Sequence, residues 1–177
     1  MPATDVYAQI YEMLDKVSPV PYDCGTLCGS VCCKDAPSKE ELYIYLLPGE
    51  KEYLESVGCP LKIERQNSGE HYLPASWGEY VYLASCNGPK ECPRKCRPIQ
   101  CRTFPLEPHL AKKGVLQLIY CDVSLPYKCP LITESVKLSD DFIKTTYKAW
   151  EILMKDRIIW DMVKMDSRNR TNCQIII

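Results

Sequence analysis

The chain has 177 residues, a formal net charge of −1, 12 cysteines and 2 histidines. That length suits one domain, residues 1–177, with a hydrophobic core of its own. The balanced charge leaves no electrostatic footprint for nucleic acid or an anionic membrane surface, and no stretch approaches the roughly 20 apolar residues of a membrane span. The opening "MPATDVYAQIYEMLDKVSP" has neither a basic start nor an uninterrupted apolar run, so it does not read as a signal peptide. In the closing "CQIII", Cys173 stands one position too far from the end for prenylation. The expected setting is therefore a reducing cytoplasm, where dense cysteine points to metal binding rather than to a disulfide framework.

In chain order, residues 4 to 17 repeat apolar side chains at helical spacing (Val6, Ile10, Met13, Leu14, Val17), with Thr4 or Asp5 as N-cap. Pro19 and Pro21 end that helix. A strand is expected around Leu42 to Leu46, then a helix of about two turns opened by Pro48 and Gly49 and closed by Gly58. "YVYLAS" and "VLQLIYCDV" carry the β-branched and aromatic residues of strands. Between them "CNGPKECPRKCRPIQCRTFPLEP" is too rich in Cys, Pro and basic residues for long regular structure, and needs another organiser. The last element is a helical segment over 139–166, opened by a capping serine or aspartate. Its apolar residues are Phe142, Ile143, Tyr147, Trp150, Ile152, Leu153, Ile158, Ile159 and Met162. The expected class is α+β: a small antiparallel sheet and metal-ordered loops, flanked by N- and C-terminal helices.

The thiols fall into two dense groups. Cys24, Cys28, Cys32 and Cys33 form the first; Cys86, Cys92, Cys96 and Cys101 form the second, with Cys121 and Cys129 beyond. Soft thiolates favour zinc, cuprous copper or iron–sulfur clusters over hard cations. Tetrahedral zinc is usually held by two short-spaced pairs from distant parts of a chain, and Cys24 with Cys28 and Cys92 with Cys96 have that form. Gly25 and Gly29 let the backbone turn closely around an ion. Successive side chains diverge in a helix or a strand, so Cys32 and Cys33 are expected to serve two metals or to bridge a cluster. These ten cysteines exceed one mononuclear site, which makes more than one ion the expectation.

Cys59 and Cys173 read as buried small hydrophobes or free thiols, and Cys121 equally as core or ligand. His71 and His109 read as structural. Arg97 and Arg102 flank cluster thiols and could lower their pKa or hydrogen-bond to them; the alternative is a solvated loop residue. A radical enzyme using S-adenosylmethionine would show C-x-x-x-C-x-x-C, whereas this head reads C-x-x-x-C-x-x-x-C. The vicinal pair suggests a thiol switch, but C-x-x-C is missing. No G-x-G-x-x-G, P-loop or serine-nucleophile motif occurs, so no catalytic constellation is legible and enzymatic activity stays open.

"CGTLCGSVCC", followed by "LLPGEKEYL" and then "RPIQCRTFP", resembles the YkgJ-type cysteine-cluster family of zinc- or iron-chelating domains. The resemblance covers about residues 22–130. Arg97, Pro98, Cys101, Arg102, Phe104 and Pro105 match the family signature, and Cys121 or Cys129 stands as its late cysteine. It implies a metal-binding protein, with zinc or iron held between the cysteine groups. The alternative is an iron–sulfur protein in electron transfer, or an accessory to a redox or methyl-transfer enzyme.

Overall fold

The computed structural model describes residues 3–33, 43–85, 92–122, 125–134, 136–170 and 173–177. Cys86, one of the expected ligands, lies outside them. Helix α1 spans Ala3–Asp15. It buries Tyr7, Ile10, Tyr11 and Leu14, positions that recur at i, i+3, i+4 and i+7 on one face. That stripe is turned towards the two tyrosines relative to the expected one, because Val6, Met13 and Val17 are only half-buried. The helix also starts earlier than expected, which leaves Thr4 and Asp5 inside it rather than at its cap.

The short helix α2 (Gly25–Cys28) follows, and then strand β1 (Tyr43–Tyr45) and helix α3 (Glu50–Ser56). Strands β2 (Ile63–Asn67) and β3 (Tyr80–Ser85) complete a three-stranded antiparallel sheet in the order β1-β3-β2. Ile44 faces Ala84, and Glu64 faces Leu83. Strand β2 was not expected: its "IERQN" carries one apolar residue, so an edge strand half in solvent leaves little alternation to read.

The Cys- and Pro-rich middle is more regular than its composition suggests. A 3₁₀ turn covers Arg94–Cys96, and helix α4 covers Ile99–Thr103. Strand β4 (Leu106–Leu110) then pairs with β5 (Leu116–Tyr120), Leu106 opposite Tyr120. The chain end lies along β5, where Leu118 exchanges backbone hydrogen bonds with Ile176 and Ile177. Helix α5 (Pro130–Thr133) leads to the closing pair α6 (Asp140–Leu153) and α7 (Arg157–Asn169).

The expected single helix over 139–166 is therefore two. Asp156 is extended and its carboxylate accepts hydrogen bonds from the Ile158 and Ile159 amides, so it caps a new helix where the periodicity alone runs on. Both pieces face the core, α6 through Phe142, Trp150 and Leu153 and α7 through Ile159, Met162 and Val163. The α+β class holds, with small antiparallel sheets between terminal helices. Among the described residues, no helix is long and apolar enough to cross a membrane.

One buried carboxylate fixes how α1, α3 and α4 meet. Glu50 is completely buried. Its Oε1 accepts from Tyr11 Oη at 2.7 Å and from the Ile99 amide at 2.6 Å, and its Oε2 accepts from the Leu47 amide at 2.9 Å. Burial pushes the Glu50 carboxyl up; these three donors and the nearby Arg102 guanidinium work against that. Removing one partner of a buried network leaves the others unsatisfied. Glu50→Ala, which strips an acceptor from three buried donors, should cost about 3 to 5 kcal/mol. Tyr11→Phe should cost only about 1 kcal/mol. Urea unfolding checks both, and a loss under about 1 kcal/mol for Glu50→Ala would remove the carboxylate from this role.

Candidate metal centre

The "CGTLCGSVCC" head is a chain of tight turns. Asp23 opens it, accepting from the Gly25 amide through its side chain and from the Thr26 amide through its carbonyl. Helix α2 then ends at Gly29, whose φ of 63° is left-handed. A Cβ on Gly25 would sit 2.3 Å from Ser30 Oγ, so a side chain there would oblige the Ser30 hydroxyl to turn away. The 3₁₀ turn Val31–Cys33 follows at once. It has a consequence that adjacency alone does not suggest: Cys32 Sγ and Cys33 Sγ lie 3.8 Å apart rather than diverging. Two sulfurs on one tetrahedral zinc, with bonds of about 2.3 Å, stand about 3.8 Å apart. The pair therefore suits one ion rather than two.

The second group reaches the head through α4. Arg102, with its side chain almost wholly buried, pairs with Asp15 at 2.7 Å, donates to the carbonyls of Arg94 and Arg97, and lies over the Tyr11 ring. It is thus a structural clamp, and its charge also pulls down the Cys92 thiol. Arg97 acts on more of the thiols. Its charge pulls down the thiols of Cys24, Cys33 and Cys92. Its buried Nε has no hydrogen-bond partner among the described residues.

Several of the expected thiols lie within electrostatic reach of one another. Cys24 feels the charges of Cys28 and Cys129, Cys32 those of Cys24, Cys33 and Cys101, and Cys92 that of Cys33. Tyr127 lies in the field of Cys32, Cys101, Cys121 and Cys129 together. Burial pushes Cys24, Cys92 and Cys129 up, and for Cys129 the amides of Leu131 and Ile132 oppose it by hydrogen bonding to the sulfur. The hydrogen bond from Cys32 holds Cys33 below the ordinary thiol range, with Arg97 helping, while the same bond pushes Cys32 up. None of these sulfurs is in a disulfide. Among the described residues, no three His, Cys, Asp or Glu side chains already stand in a metal-binding arrangement.

Cys96 is the correction. Its sulfur is joined to Cys59 in a disulfide, and Cys96 is completely buried. As a disulfide sulfur it is not the thiolate ligand that its spacing from Cys92 suggests. Cys59, in turn, is neither a free thiol nor a small core hydrophobe. The turn after α3 delivers it to the 3₁₀ turn that carries Cys96, a meeting across 37 residues that spacing cannot show. Cys173 is a free thiol set apart from the others, in the field of Asp122, Arg170 and Glu107. His71 is structural, bonded to Tyr45 Oη and to Gln66 Oε1. His109 lies in β4, paired opposite Gln117.

No protein-family model matches the chain, and neither a curated protein nor a solved structure matches it.

The depressed Cys33 thiol gives a direct test. In metal-free, reduced protein, Cys33 should be alkylated by iodoacetamide faster than Cys32 below neutral pH, since the thiolate is the nucleophile. Cys32→Ala should shift the pH profile of Cys33 upward, and Arg97→Ala should do so less. Peptide mapping by mass spectrometry reads both, and an unchanged profile in Cys32→Ala would separate the two sulfurs.

Proposed function

We propose that the protein binds metal through a multi-thiolate zinc centre assembled from both cysteine groups, as a YkgJ-type domain in a cytoplasmic setting. One observation carries the reading: the thiols of Cys24, Cys33 and Cys92, drawn from both cysteine groups, all lie in the field of Arg97, whose buried Nε lacks a partner among the described residues. A buried N–H beside sulfur suits a metal-bound thiolate, which accepts such a bond and gains orientation from it. The amides of Leu131 and Ile132 serve Cys129 in the same way.

The donor set fits the ion. It is all sulfur, and the two histidines belong to strand β4 and to a structural hydrogen-bond pair, so borderline-soft zinc is favoured over harder cations. Cys24, Cys28, Cys32, Cys33, Cys92, Cys101, Cys121 and Cys129 would supply the ligands, more than the four that one tetrahedral ion takes. More than one zinc ion is therefore part of the proposal. Bound zinc would supply structural cross-linking of α2, α4 and the segment before α5. Iron, as an iron–sulfur cluster in electron transfer or in an accessory to a redox or methyl-transfer enzyme, is the competing occupant of the same thiols.

Protein purified without air or chelator should be colourless and carry more than one zinc per chain by elemental analysis. Cys28→Ser and Cys101→Ser should each lower that number, because the two residues come from different groups of one centre. Structural zinc contributes about 10 to 16 kcal/mol of apparent binding free energy in small finger peptides. That is comparable to the whole stability of a domain, about 5 to 15 kcal/mol, so stripping the metal should sharply lower the melting temperature. Iron with visible absorption would transfer the site to the cluster reading. Full occupancy in both variants would end the shared centre.

A further inference from the structure

Beside the thiols lies a cavity of about 660 Å³, within the range of about 300 to 1,000 Å³ usual for small-molecule sites. Its lining is strongly aromatic, with Tyr43, Tyr45, Tyr72, Phe104, Tyr127 and Trp150, and is filled out by aliphatic residues such as Ile44, Leu73 and Leu106. The thiol-bearing Cys32 and Cys121 also reach it. Apart from those two thiols, the metal reading does not use this space.

The polar groups of the lining are unbalanced in charge. Glu107, Asp122 and Asp166 face one guanidinium, that of Arg170. Arg170 is fully engaged: Nε pairs with Asp122 at 3.1 Å, Nη2 with Glu107, and Nη1 donates to the Pro108 carbonyl at 2.7 Å. Asp166, one turn earlier on α7, has neither an ion pair nor a hydrogen bond among the described residues. Burial pushes its carboxyl up to about 6, Arg170 pulls it down, and Glu107 and Asp122 add to the rise. A second polar group is also unanswered. Trp150 is 2% exposed and lines the cavity, yet its indole Nε1–H has no partner among the described residues. Buried polar groups of native proteins nearly always find a partner, and each exception asks for one.

We propose that this cavity is a binding site for a small organic amine, an apolar body of aromatic size whose single ammonium group is received by Asp166. The unpaired carboxylate supplies the counter-charge, and the surplus of negative charge excludes an organic acid. The aromatic walls favour a cation over a neutral body of equal shape, because ring faces attract positive charge. Trp150 Nε1 offers its proton to an oxygen carried by the body. The site stands on the cavity and its charges, and is independent of which metal the thiols hold.

Three probes of nearly one shape separate the outcomes: tyramine, its neutral counterpart tyrosol, and the anionic 4-hydroxyphenylpropionate, each titrated calorimetrically into the full chain. Tyramine should bind about ten-fold or more tighter than tyrosol, the scale of one charge-assisted hydrogen bond, and the acid should bind weakest. Asp166→Asn should bring tyramine and tyrosol level while leaving the circular dichroism spectrum unchanged. Leu73→Trp, which fills the cavity without altering its charge, should weaken both. Equal binding of the three probes, an amine preference that survives in Asp166→Asn, or no binding at millimolar concentration would overturn the site. The titrations use protein whose zinc content is measured first: lost amine binding in metal-loaded, folded protein counts against the cavity, while a missing metal counts against the thiol centre, so the two failures are told apart.

Discussion

The Glu50 carboxylate joins three pieces of chain at one buried point. Tyr11 brings α1, the Leu47 amide brings the turn before α3, and the Ile99 amide brings the first turn of α4. A buried charge on its own is strongly disfavoured. Here three donors at hydrogen-bond distance and the Arg102 guanidinium over the Tyr11 ring make it tolerable. The geometry of α4 follows from this, and with it the direction in which Cys101 leaves the helix. The cysteine neighbourhood is thus set up by residues that carry no sulfur.

That separation explains the mixture of residue types in "LLPGEKEYL" and "RPIQCRTFP". Glu50 and Arg102 belong to the scaffold, one capping the start of α4 and the other tying its end to Asp15 and to the carbonyls of Arg94 and Arg97. Cys101 and Arg97 face the thiols. The disulfide between Cys59 and Cys96 does related work nearby, joining the exit of α3 to the turn ahead of α4. Two cysteines counted among many by spacing thus serve the frame. Of the thiols outside that disulfide, Cys24, Cys28, Cys32, Cys33, Cys92, Cys101 and Cys129 are linked to one another electrostatically, while Cys173 stands apart.

The same frame also shapes the cavity. β1, α4, β4 and α7 all contribute to its wall, so the thiols at Cys32 and Cys121 and the carboxylates near Arg170 open onto one space. A protein whose metal served only to staple loops would have no need of an apolar chamber beside it.

What could be read from the residues alone was what local periodicity and turn chemistry control. The α1 helix, the short α3 helix after Pro48, and strands β1, β3 and β5 are all legible, because each repeats its apolar residues at a period set by its own backbone. So was the grouping of thiols, since a soft-metal preference belongs to sulfur itself. The break at Asp156 was also present as a capping signal in "MKDRIIW", but the apolar pattern continues across it and hides it. Strands β2 and β4 were not legible. One is a largely polar edge, and the other carries Pro108, whose role appears only when Arg170 arrives at its carbonyl. Only the tertiary structure could decide that Cys96 pairs with Cys59, that Arg102 is tied into the scaffold while its charge still reaches Cys92, and that Asp166 lines a cavity. Each of these depends on side chains brought together from distant parts of the chain, and spacing along a sequence carries no information about distance across a fold.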